Sequence, residues 1–421
     1  MQRPLLPFVT TLLFAAPASA GGYDTPMLYT AEHMGGGGAA VAWVDDPSAL
    51  FHNPAGLART ERFSGLLDVS YLSGWIKGSP NGTPDATSIK SEPTSAPFFM
   101  VGAAGAISPK VRVGFAFYPI ASAGGSYRYK LVGNQVTDST RLVFLEATPG
   151  LALQLPGRLN LGLGYRFTLM TLTRLTQPEG QLPTTNFELA GQEATGLRAG
   201  LQWTAIEERN GPVGLDLGLS YRHRVIVPVT AENGTAVAMN FKDIESTFTL
   251  PSRLIAGLSA HKSGYRFNLD VEHGFNSQNQ SSELRGMQVL NGEDQSELGV
   301  KNVFAWKDAQ TLRVGFEALE RFKGHQVLAR LGYAHDGTTS SKVYPTAFGT
   351  PPGPTQIFTL GLGFRPKNMK IDIAYAHRTG EATVTQEDVT QRTEVCLFCS
   401  HPGDYEIALN GFYTSFVYQL P

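Results

Sequence analysis

Beyond Phe63 the side chains alternate between apolar and polar with a period of two, and this restricts the chain to sheets with one apolar face. Leu159, Leu161, Leu163, Tyr165, Phe167 and Leu169 alternate with Asn160, Gly162, Gly164, Arg166 and Thr168. Val213 to Arg222, Tyr265 to Glu272 and Met369 to Ala376 repeat the pattern. A helix would bring its apolar residues back every three or four positions. A soluble sandwich turns such a face into its core, whereas a membrane barrel turns it outward to lipid. The runs reach about ten residues or more, the length of a tilted membrane strand.

Fourteen such segments are expected, at 63–76, 97–107, 110–120, 141–155, 158–173, 193–206, 212–228, 246–262, 264–275, 303–321, 325–336, 355–365, 369–382 and 404–419. Tight connections (Pro156-Gly157, Ser263, Pro366-Lys367-Asn368) alternate with long ones at 77–96, 121–140, 174–192, 229–245, 276–302, 337–354 and 383–403. Short turns on one rim and long loops on the other are the bacterial outer-membrane arrangement. The stretch Trp306-Lys307-Asp308-Ala309 reads as a turn on its own. A reversal there would give an odd count, so 303–321 is taken as one strand and the total as even. The expected fold is all-β: a 14-stranded antiparallel transmembrane β-barrel.

Such a barrel is too wide for side chains alone to fill, so its lumen is either wet or occupied. Residues 21–62 precede the first strand and lack strand periodicity, which makes them the expected N-terminal hatch plugging the lumen of a barrel formed by 63–421. Residues 1–20 read as a signal peptide. Arg3 is the sole charge, Leu5 to Ala16 is mostly apolar, and Ala18-Ser19-Ala20 fits a small-x-small cleavage site. Gly35 to Gly38 follows no strand and has no Gly-Lys-Ser/Thr after it, so a phosphate loop is excluded, and close backbone packing explains it. Asp46 and Asn53 precede prolines and are turn formers. Asn53 can cap a turn or bond wall backbone, and Leu50, Phe51 and Leu57 offer apolar surface.

The chemistry of other classes is weakly represented. A net charge of −2 leaves no basic footprint for nucleic acid. With 46 glycines and only 17% charged residues, the composition suits strands and turns. No histidine pair has metal-ligand spacing, no Ser/His/Asp set can be assembled, and no cofactor or metal is expected. Cys396 and Cys399 are separated by two residues in a loop; in an oxidising compartment a disulfide is the first reading, with a free or metal-binding pair the alternative and redox catalysis the third. Arg166, Arg222, Arg266, Asp270 and Glu272 fall on the polar, lumen-facing phase and read as a paired network.

The stretch Asp46-Pro47-Ser48-Ala49-Leu50-Phe51-His52-Asn53-Pro54-Ala55-Gly56-Leu57 resembles the hatch signature of the FadL/TodX family of outer-membrane hydrophobic-compound transporters. Leu250-Pro251-Ser252-Arg253-Leu254-Ile255-Ala256-Gly257-Leu258 is similar to the family's mid-barrel strand. Leu312 to Glu317 followed by Leu328 to Tyr333 resembles its paired late strands, so the likeness spans the mature chain. The resemblance implies passive uptake of long-chain fatty acids or aromatic hydrocarbons, bound against a hatch and released sideways through a gap made by a kinked third strand. The ligand-gating residues are then Asn53, Pro54, Ala55, Phe51 and Leu50, the alternative being a structural plug without ligand contact. The lateral-exit candidates are Pro119, which removes a ladder donor, and Gly124 and Gly125, which favour a bend; the equal alternative is that Pro119 simply ends the strand at the loop. The expected partners are a hydrophobic small molecule and outer-membrane lipid, and the expected state is a monomer in the bacterial outer membrane. A general porin for polar solutes and an outer-membrane enzyme are the alternatives.

Overall fold

The computed structural model describes residues 29–420 apart from 82, 84–87, 132 and 211–212, so the expected signal peptide lies outside the described residues. The described chain is a closed antiparallel barrel, with the first strand paired to the last from Phe63–Leu420 to Lys77–Glu406. The first six strands are Phe63–Gly78, Thr94–Ser108, Val111–Leu131, Asn134–Leu155, Leu159–Pro178 and Thr185–Ile206. Four strands then break at mid-height without reversing. The seventh is Gly214–Arg222 and Val225–Ala236, and the eighth is Met239–Leu250 and Arg253–Lys262. The ninth is Tyr265–Gly274 and Ser281–Leu290, and the tenth is Glu293–Val303 and Ala309–Phe322. His325–Asp336, Thr355–Arg365, Met369–Val384 and Gly403–Leu420 complete the fourteen. Residues 304–308 interrupt the tenth strand, as the turn-like sequence there suggests, but the chain continues in the same direction and the even count stands.

The alternation faces outward as expected of a membrane barrel. Leu67, Val69, Leu163, Phe316, Leu360 and Ile373 are exposed, while their inward neighbours Asp68, Gly162 and Asp372 line the interior. A contiguous apolar exterior on a closed sheet is a surface that lipid covers, and this is a bacterial outer-membrane barrel by architecture. No described helix is long and apolar enough to cross a membrane.

Four of the expected long loops are corrected. The segments 121–140, 174–192, 229–245 and 276–302 are largely strand. The third strand continues to Leu131 and the fourth starts at Asn134, and the eighth follows the seventh after Ala236. The fourth strand, 22 residues long, spans about 70 Å at roughly 3.3 Å per residue, far beyond a bilayer core of about 30 Å. Above the membrane both faces of a strand meet water or loops, so the apolar-polar alternation that marks a lipid-facing strand fades there. Genuine long connections remain between Gly78 and Thr94, where the only described strand is the short Ile89–Lys90, and at 337–354 and 385–402.

Candidate functional site

Residues 29–60 lie inside the barrel and are buried almost throughout. Two short helices, Ala31–Gly35 and Ala49–His52, and a 3-10 turn, Pro54–Arg59, make up most of the segment. Its backbone runs against inward-facing glycines of the wall. A Cβ on Gly200 would lie 1.8 Å from Asn53 Oδ1, and one on Gly162 would lie 2.2 Å from the Ala55 nitrogen. No side chain fits at either position, so the glycines that interrupt the wall pattern are the seat of this segment.

Asn53 makes both contacts its sequence context suggested. Its Nδ2 donates to Val41 O at 2.8 Å and to Leu201 O on the sixth strand at 2.9 Å. Its Oδ1 accepts from Ala55 N at 3.1 Å, which opens the 3-10 turn with Pro54 in the first position. Leu50 is fully buried and points at Gly150 of the fourth strand. Phe51 packs edge-on against Tyr29 and Tyr118, with the Arg198 guanidinium 5.4 Å from its ring centre.

Charged wall residues hold the rest of the segment, and sequence reading missed most of them. Glu32 accepts from Arg365 Nη2 at 2.8 Å, from Arg330 Nη2 at 3.3 Å and from Lys370 Nζ at 3.3 Å. Burial opposes its charge, and Lys370, Arg365 and Arg330 together outweigh that, holding its carboxyl well below the usual range. Asp68 accepts from Ala31 N, and Asp270 accepts from Ala40 N at 2.8 Å and Val41 N at 3.1 Å. Of the lumen charges named from sequence, Arg166 pairs with Glu146 and Glu272 with Arg253 and Arg313. Arg222 donates to Pro251 O, and Arg266 lies over the Trp43 ring. Period-two phase was enough to place these charges inside, but not to choose their partners.

The third strand carries the break in the wall. Its pairing with the second strand ends at Phe117–Val101, although both strands continue. Above that point the next backbone bond to the third strand from this side runs from Glu92 N to Ser126 O, at 2.8 Å. On its other side the register slips between Pro119 and Ala121, which leaves Ile120 as an extra residue. Tyr118 to Gly125 are buried on both faces, so the strand leans into the lumen. Pro119 is at the slip. Gly124 and Gly125 remain in register, but Gly124 has φ of +152° and a Cβ there would meet Thr140 O at 2.2 Å. Tyr29 Oη donates to Pro119 O at 3.0 Å and Tyr118 Oη to Leu50 O at 3.3 Å, which joins the kink to the N-terminal segment. Neither tyrosine carries a sequence signal that would have singled it out.

Beside the kink lies a cavity of about 130 Å³, reached at Ala123 and walled by Leu142, Phe187, Phe248, Trp306 and Phe398. Arg174 enters its lining but is engaged by Asp138 and lies over the Phe348 ring. Cys396 and Cys399 are bonded to each other and flank Phe398 at the top of the cavity.

No family model matches the chain, and no curated protein sequence matches it. Solved structures do. A Pseudomonas aeruginosa FadL homologue is 15% identical, with a TM-score of 0.73 over 94% of this chain and 99% of that one. The P. putida toluene transporter TodX is 14% identical (TM-score 0.69, 94% and 99% covered), and the Ralstonia pickettii toluene transporter TbuX 15% (0.67, 94% and 99%). The likeness covers nearly the whole of each chain: this closed barrel has the fold of the FadL homologue and of TodX.

Proposed function

We propose that this protein is a passive outer-membrane channel for small hydrophobic molecules, with residues 29–62 as a hatch and the third-strand seam as a sideways exit. The observation that carries the reading is the apolar cavity lying against an unpaired stretch of wall. The kinked strand borders the cavity at Ala123, and an apolar solute leaving past it is spared the charged lumen beneath. The Tyr29–Pro119 and Tyr118–Leu50 bonds give hatch and seam a shared set of contacts.

Cavity size favours a ring over a long chain. Dry apolar cavities of about 150 Å³ hold benzene, and this one is about 130 Å³. Structural neighbours named as toluene transporters and a monoaromatic hydrocarbon channel support the same class. Long-chain fatty acids are the second reading, favoured by Arg174 at the cavity edge. A polar-solute porin is disfavoured by a lumen filled with buried, bonded chain. The test compares uptake of radiolabelled toluene and a long-chain fatty acid by cells carrying this channel alone. Toluene uptake with little conductance in planar bilayers is expected, and a large, steady conductance would overturn the proposal.

A further inference from the structure

We propose that Glu32, His33 and Asp46 form a binding site for one divalent transition-metal ion, zinc by its donor set, which ties together two parts of the N-terminal segment. One ligand atom from each of the three residues lies within 4.8 Å of the others, and all three residues are buried. Two of them have unused ligand atoms. His33 is fully buried, and among the described residues neither Nδ1 nor Nε2 has a hydrogen-bond partner. Its ring is packed edge-on by Trp43 and His52. Asp46 Oδ1 takes the Ser48 N–H at 2.7 Å and the Ser48 hydroxyl at 2.5 Å, whereas Oδ2, also buried, takes nothing. Leaving such groups unpaired costs about 1–3 kcal/mol each, and a cation satisfies them together.

The surrounding charge fits a dication. Glu32, Asp45, Asp46, Glu317 and Asp372 are linked in one cluster with Arg330, Arg365 and Lys370, a formal excess of two negative charges. Glu32 Oε2 retains acceptor capacity, because among the described residues its sole bond comes from Lys370 at 3.3 Å and Asp45 holds that ammonium at 2.5 Å. One imidazole nitrogen with carboxylate oxygens suits zinc, which takes three protein ligands and an open fourth position at such sites. Helix Ala31–Gly35 would then be tied to the turn at Asp46, on the hatch of the proposed channel. Only the consequence for gating rests on that functional reading.

The test is calorimetric titration of zinc chloride into the full chain, purified in detergent without a histidine tag and stripped with chelator. Cobalt substitution reports nitrogen and oxygen ligation by its visible absorption. The expected result is one equivalent bound, with affinity lowered at least about tenfold in His33→Gln and in Asp46→Asn. Should His33→Gln not fold, His33→Cys keeps a metal ligand and should retain stoichiometric zinc. The proposal is overturned if the wild-type chain binds no stoichiometric zinc, or if the folded variants bind it with unchanged affinity. Because binding is measured without transport, a negative result here leaves the channel reading standing, and a failed uptake assay leaves this site standing.

Discussion

Replacing Asn53 with alanine removes the side chain that joins the N-terminal segment to itself and to the wall. Three hydrogen bonds are lost: to Val41 O, to Leu201 O and from Ala55 N. Val41 O keeps a bond from Gln202 Nε2 at 3.2 Å, but Ala55 N is left buried without its acceptor. At about 1 kcal/mol net for each bond, the seat weakens by roughly 3 kcal/mol. That corresponds to about a 150-fold larger population of displaced segment. The barrel's own ladder is untouched, so strand content and closure should persist. Asn53→Asp tests the same logic harder, because it turns an amide donor into an oxygen facing two carbonyl oxygens and should loosen the seat at least as much. The assay is planar-bilayer recording with parallel toluene uptake. Brief openings should rise in the order wild type, alanine, aspartate. Unchanged recordings and uptake in both variants would refute the claim that Asn53 holds the segment in place.

Gly162→Val places a side chain where a Cβ already meets Ala55 N at 2.2 Å, so it should displace the segment while strand content by circular dichroism is kept. Ala123→Trp fills the junction between cavity and kink and should cut toluene uptake at least about tenfold without changing thermal stability by more than a few degrees. Tyr29→Phe removes one bond, to Pro119 O, worth about 1 kcal/mol, and should raise amide exchange at the kink about fivefold. Phe398→Ala widens the top of the cavity and should raise uptake of two-ring compounds relative to toluene, measured by competition.

Much of the wall was legible because lipid imposes a simple rule. Lipid-facing positions are mostly apolar and their neighbours mostly polar or small, so a period of two in Leu159 to Leu169 or Met369 to Ala376 fixes strand and facing together. The even count resolved the break at 304–308, where local turn propensity argued for a reversal that the chain does not make. Asn53 was legible through its place before proline. The upper halves of the strands were not, because above the bilayer the rule lapses, and 121–140 reads as loop while it forms a hairpin. The cavity was hidden for the same reason: Phe187, Leu284 and Val300 come from segments that read as loops and carry no membrane signal.

Sequence alone therefore determined the barrel, its strand number, its facing and the segment available to fill it, since each follows from local periodicity and the need to satisfy backbone groups in lipid. Tertiary structure decided which groups meet inside. The contacts of Glu32 with Arg330, Arg365 and Lys370 join residues some 300 positions apart, and the Tyr29–Pro119 bond joins the segment to a kink 90 positions away. Pairings across a closed lumen depend on register and close backbone approach. The seam is of the same kind, because Pro119 ends a ladder only when the second strand lies beside it and the segment at Tyr29 draws it inward.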